Sequence, residues 1–307
     1  MKVLITPRSY GKHSDAALKM LEAEGAEIVR NDTGGIMTED MLKAAITGAD
    51  GVIIGVDPLT SDVMSLAPGL RAVAKYGVGT DNIDLGYCAE NGIKVSVTTG
   101  ANSEAVADYT FALMLALARK VIAIDANCRK KDWKKITTSD VAHKTLGLIG
   151  LGAIGKGVVS RAKGFGMEVL AYRRNWDEEY AREAGVEYAT VDDICRRSDF
   201  ISLHTPLTEE TRHIIGAREI GLMKPGAFIV NTARGGLIDE EALLCALEEG
   251  RIGGAGLDVF AQEPPEDGRW YGLGNVVLGS HSAASTQGAS ENMSLLSTQN
   301  LLRDLGL

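Results

Sequence analysis

Short apolar runs alternate with helix-spaced stretches along most of this chain, and that alternation limits the fold more than any other feature. Val3–Thr6, Glu27–Val29, Gly51–Gly55, Leu70–Tyr76 and Ile93–Val97 are predicted strands, with helical patterns between them, the first over His13–Glu24. Short runs separated by helices give a parallel sheet covered on both faces. Asn102-Ser103-Glu104 then opens a long predicted helix, to about Asn127, capped by Ser103 or Asn102. A second series starts at Thr145, with strands expected over Leu146–Ile149, Glu168–Tyr172, Phe200–Leu203, Ala227–Asn231, Gly254–Val259 and Val276–Leu278. A helix to about Phe165 follows the first of these, and another over about Gln287–Asp304 ends the chain. The expected fold class is α/β with two doubly wound parallel sheets and no internal repeat.

The 307 residues, 45% hydrophobic and 24% charged, suffice for two cores and exclude a disordered chain. A net charge of −9 argues against a nucleic-acid or anionic-membrane surface, though not against a local basic pocket. Cys88, Cys128, Cys195 and Cys245 are scattered without CxxC spacing, so no metal site is expected. The most apolar stretch, Phe111 to Ala123, is interrupted by Arg119 and Lys120 and is too short for a bilayer. The start, Met1 to Pro7, reads directly as a strand with no apolar leader, so a cytoplasmic protein is expected. Glycine, at 36 residues, is abundant enough to suggest many tight turns and close backbone approaches.

Gly150-Leu151-Gly152-Ala153-Ile154-Gly155 is a G-x-G-x-x-G turn between a predicted strand and a predicted helix. In that context Gly150 permits the turn, Gly152 lets the backbone approach a pyrophosphate, and Gly155 lets helix pack on strand. The free N–H groups at the helix start then favour the phosphates. A ribose-reading acid is expected at the end of the next strand in an NAD site. Here Arg173-Arg174-Asn175 stand there, with no acid before Asp177. Arginines suit a 2′-phosphate, so NADP is favoured over NAD as cofactor. Late in the chain, Arg234, Asp258, Glu263 and His281 fall at or after strand ends, where α/β sheets bind ligands. Together, after a dinucleotide motif, they point to hydride transfer with a histidine acid/base.

These residues resemble the D-isomer-specific 2-hydroxyacid dehydrogenases, in particular their phosphoglycerate dehydrogenase branch. The resemblance rests on Lys75-Tyr76-Gly77-Val78-Gly79-Thr80-Asp81-Asn82-Ile83-Asp84, Gly150–Gly155, His204-Thr205-Pro206-Leu207, Asn231–Gly236, and Glu263 with His281. It implies a Rossmann cofactor domain over 99–281, inserted into a flavodoxin-like substrate domain of 1–98 plus 282–307. It implies that Arg234, Glu263 and His281 are catalytic: Arg234 holding the carboxylate and polarising the keto group, His281 moving the proton, Glu263 orienting the imidazole. Thr98, Ala153, Ile154, Thr205, Thr232, Ala233 and Asp258 join the three glycines and the two arginines at the cofactor. Lys75, Gly77, Val78 and Gly79 join Arg234 at a small anionic 2-hydroxy or 2-keto acid, expected to be 3-phosphoglycerate-like. Val97-Thr98-Thr99 departs from the family's Asn-x-Pro, and Lys75 replaces a frequent arginine. The rival readings are a glyoxylate or hydroxypyruvate reductase and a non-catalytic dinucleotide-sensing corepressor. A homodimer is implied by resemblance, through the helix after Asn102 and the loop after Cys128.

Overall fold

The computed structural model describes all 307 residues, and they divide into two compact units, Met1–Asn102 with Ser285–Leu307, and Ser103–Ala284. The crossings fall at 102/103 and 284/285, a few residues beyond the 98/99 and 281/282 set from the sequence.

The first unit is built on five parallel strands: β1 (Lys2–Ile5), β2 (Glu27–Arg30), β3 (Gly51–Ile54), β4 (Ala72–Lys75) and β5 (Lys94–Val97). Their order, β2-β1-β3-β4-β5, is that of flavodoxin-like sheets. Every residue of β3 and β4 is buried, whereas the edge strands β2 and β5 are partly exposed. This is why β3 and most of β4 read as apolar runs rather than as alternations, with Lys75 the one charged residue at the end of β4. The last helix, Gln287–Leu305, packs Leu301, Leu302 and Leu305 against Val3, Ile5, Ile53, Ala72 and Ala74.

The second unit holds seven parallel strands: β6 (Thr145–Ile149), β7 (Glu168–Tyr172), β8 (Val186–Tyr188), β9 (Phe200–Leu203), β10 (Phe228–Asn231), β11 (Gly254–Leu257) and β12 (Val276–Leu278). The order β12-β11-β10-β9-β6-β7-β8 places the two strands where the winding reverses, β6 and β9, side by side. Ligands of such sheets bind beyond the carboxyl ends at that reversal, where the glycine turn and His204-Thr205 lie.

Strand β8 lies outside the strands expected from the sequence; it is a three-residue edge strand with two exposed positions. The single long helix expected to about Asn127 is instead two, Ser103–Ala118 and Val121–Arg129. Lys120 breaks it in the left-handed region, at φ 50°. No helix is long and apolar enough to cross a membrane.

Candidate functional site

In the second unit the glycine turn leaves β6 at Gly150, whose φ is 109°. A Cβ there would stand 2.3 Å from the His204 carbonyl oxygen, so a side chain is excluded by both conformation and space. A Cβ on Gly152 would meet nothing within 4 Å. The helix Ala153–Gly164 begins immediately after it, and its first internal bond runs from Lys156 N–H to Gly152 O, 2.9 Å. The N–H groups of Ala153, Ile154 and Gly155 therefore have no acceptor in the protein and no acid beside them. An open cradle edged by unpaired N–H groups at a helix start fits a dinucleotide pyrophosphate.

At the end of β7, the Arg173 guanidinium donates to Leu151 O in the glycine turn, 3.2 Å. Arg174 reaches out to Glu210 at 3.1 Å. Asp177 is committed elsewhere. It caps the helix Glu178–Ala184 through Tyr180 N–H and pairs with Lys156 at 2.7 Å. The Lys156 hydrogen bond and the Tyr180 N–H hold its carboxyl below the usual range.

The segment after β10 is tied by Asn231, which is buried. Its side chain accepts Ala233 N–H at 3.0 Å and donates to Arg234 O at 2.8 Å. The sequence reading did not single out Asn231, although an Asn at a strand end before a turn is the residue type that makes such a bridge. Arg234 starts from this turn, with Nη1 donating to Ala233 O at 2.6 Å among its contacts. Thr232, expected at the cofactor, is buried and its hydroxyl meets that of Thr110 at 3.2 Å.

His281 stands after β12 in the left-handed region, φ 54°. Its Nδ1 lies 2.9 Å from Glu263 Oε2, while Glu263 Oε1 accepts Phe260 N–H at 3.1 Å. A carboxylate can only accept, so Nδ1 carries the hydrogen. The Nε2 makes no hydrogen bond within the protein. Burial pushes the Glu263 carboxyl up; the His281 hydrogen bond and charge, the Phe260 N–H and Arg234 outweigh it, so it sits below its ordinary value.

Asp258, expected by resemblance at the nicotinamide, spends its carboxylate on the histidine loop. One oxygen accepts Ser282 N–H at 2.9 Å and the other Ala283 N–H at 2.8 Å, while Asp258 O accepts His281 N–H at 2.7 Å. Burial raises its carboxyl above the usual range despite those two N–H groups.

In the first unit, the segment after β4 bears the second group of expected residues. Gly77 lies at φ 132°, and its N–H donates to Thr98 Oγ1 at 2.8 Å. The N–H groups of Val78 and Gly79 have no acceptor in the protein. Two such neighbouring donors suit a carboxylate. Lys75, expected to face the substrate, is only 5% exposed. Its ammonium donates to Gly55 O and, at 2.7 Å, to Asn82 Oδ1. Asn82 in turn donates to Gly55 O at 3.0 Å and Asp57 O at 2.6 Å. Thr98, expected at the cofactor, is fully buried against Gly77.

Residues 111–283, more than half of the chain, match the family model for the NAD-binding domain of D-isomer-specific 2-hydroxyacid dehydrogenases. A glyoxylate reductase of Thermococcus litoralis is 43% identical over 260 residues, 82% of this chain and 78% of that protein. A D-3-phosphoglycerate dehydrogenase of Methanocaldococcus jannaschii is 43% identical over 295 residues, 95% of this chain but 55% of that protein. Among solved structures, D-lactate dehydrogenase of Aquifex aeolicus, complexed with NAD and lactic acid, superposes with a TM-score of 0.83. It is 30% identical, and the match covers 97% of this chain and 93% of that one.

Proposed function

The chain belongs to the D-isomer-specific 2-hydroxyacid dehydrogenases, NAD(P)-dependent oxidoreductases of small 2-hydroxy and 2-keto acids, and within that family we propose that it reduces short, unphosphorylated 2-keto acids such as glyoxylate and hydroxypyruvate with NADPH. The observation that carries hydride-transfer chemistry is the His281–Glu263 pair, with Nδ1 fixed by a carboxylate and Nε2 left unpaired. A nicotinamide, when bound, supplies the hydride to C2 of the acid. His281 Nε2 gives its proton to the carbonyl oxygen, and takes it back in oxidation. Glu263 orients the ring and stabilises the imidazolium. Arg234 holds the substrate carboxylate and polarises the keto oxygen through its planar fork. In the first unit, Val78 and Gly79 present two N–H groups suited to a substrate carboxylate. Ala153, Ile154 and Gly155 hold the pyrophosphate, and Thr205 and Ala233 line the cofactor beside them.

The substrate assignment moves away from a phosphorylated acid because of Lys75. A phosphate tail needs a cation turned toward it, and this ammonium is buried and engaged by Gly55 and Asn82. The names of several relatives, glyoxylate and hydroxypyruvate reductases, agree with the smaller substrate. For the cofactor, Arg173 and Arg174 stand where the ribose is read, and Asp177 is held by Lys156. The same reading makes the protein a homodimer.

Steady-state kinetics on glyoxylate, hydroxypyruvate and phosphohydroxypyruvate, each with NADPH and NADH, tests both parts. The expected kcat/KM is at least about tenfold higher for the unphosphorylated acids and higher with NADPH, the scale of one charge-assisted contact. Preference for phosphohydroxypyruvate would overturn the substrate class, and preference for NADH the arginine argument. Absence of turnover on every acid would instead support the binding-module reading.

A further inference from the structure

We propose that Thr98 is a positioning residue for the substrate carboxylate, acting through Gly77 rather than touching any ligand. This rests on the reading that Val78 and Gly79 bind that carboxylate. Thr98 follows β5 directly and is fully buried. Its hydroxyl accepts Gly77 N–H at 2.8 Å and donates to Gly77 O at 3.1 Å, while its own N–H donates to the same carbonyl at 2.9 Å. One threonine thus fixes both polar groups of one glycine.

That glycine needs fixing. Its φ of 132° lies where side chains rarely go, and glycine has the largest backbone freedom to lose. Thr98 selects one of the conformations open to Gly77, and the next two peptide planes inherit the choice. The far end of the loop is held separately, where Asn82 takes the Lys75 ammonium and Asn82 O accepts Leu59 N–H at 2.8 Å. Between these two anchorages lie Val78 and Gly79, whose N–H groups are unpaired. The donors are thereby aimed before substrate arrives, and little ordering remains to be done on binding.

Thr98→Val keeps the shape and removes the hydroxyl, leaving the buried Gly77 N–H without a partner. The expected result is a KM for glyoxylate raised about tenfold or more, a kcat within about threefold of wild type and an unchanged KM for NADPH. Thr98→Ser, which keeps the hydroxyl, restores the glyoxylate KM to within about threefold. Hydrogen exchange read at the Gly77 amide accelerates in Thr98→Val and not in Thr98→Ser. If Thr98→Val fails to fold, Thr98→Ala carries the same expectations. An unmoved glyoxylate KM overturns the proposal, as does a shift in the NADPH KM instead, which would make Thr98 a cofactor contact. If the wild-type enzyme reduces no 2-keto acid, the functional reading fails on its own, while unchanged Gly77 exchange in Thr98→Val would overturn the brace itself.

Discussion

On the proposed mechanism, replacing His281 by alanine removes the group that gives its proton to the keto oxygen, and replacing Arg234 removes the cation that holds the carboxylate and polarises that oxygen. Each variant is expected to lose at least about a hundredfold in kcat/KM, the scale of a missing acid/base or charge-stabilising group. Near wild-type turnover in either would refute its role. Glu263→Gln keeps a partner near Nδ1 but not its charge, so a smaller loss, about tenfold, is expected. The Glu263 carboxyl sits below its ordinary value, because the His281 hydrogen bond and charge outweigh the opposing burial, and Glu263→Gln removes that charged partner. The pairing of Glu263 with His281 was legible in the sequence because residue type and order carry it. The surroundings of Lys75, Thr98 and Asp258 were not. A lysine on a buried strand and a lysine facing substrate look alike as letters, and only the partners, Gly55 and Asn82, tell them apart.

At the scale of elements, the segment just after β9 carries a pH-sensitive group, His204. His204 follows that strand beneath the glycine turn, with Nε2 2.9 Å from Ser202 Oγ and Nδ1 buried without a partner. Burial pushes its imidazole down to about 4. The unfolded chain takes up this proton near pH 6.5, the folded chain only near pH 4, so stability falls as pH drops through that window and is unaffected above it. The loss between pH 7 and pH 5 is about 2 kcal/mol on the linkage relation. Denaturant unfolding of wild type and His204→Gln at both pH values checks this: the variant should show a shallower loss, and parallel losses would rule out His204 as the source. Strand identity in this unit was readable because burial on both faces leaves mostly apolar residues; β9 and β10 each carry a single polar one, Ser202 and Asn231. The break at Lys120 was not readable, since neither proline nor glycine marks it and the residue turns left-handed in its tertiary setting.

At the scale of the whole molecule, the helix Val121–Arg129 poses a question that one chain does not answer. It buries none of its residues, yet a nine-residue helix is too short to hold itself in water. Val121 is 54% exposed, Ile122 57% and Trp133, just beyond it, 79%. Single exposed apolar residues are ordinary, but here three fall within thirteen positions, on or just beyond a helix that buries nothing. A second copy of this chain is the cover consistent with the proposed homodimer, because a two-fold contact sets the same patch against itself. The chain's net charge of −9 opposes association of two copies, while Arg129, Lys130, Lys131, Lys134 and Lys135 make this segment locally positive and relieve that repulsion. Sedimentation at micromolar concentration should therefore find a dimer. Ile122→Glu with Trp133→Ser places charge and polarity in the patch and should yield a monomer with unchanged far-UV circular dichroism. Burial of Trp133 in the dimer should also make its emission bluer than in monomeric Ile122→Glu. A wild-type monomer, or a double variant that stays dimeric, would show that another surface or no surface joins the copies, and would leave the exposed helix to a different partner.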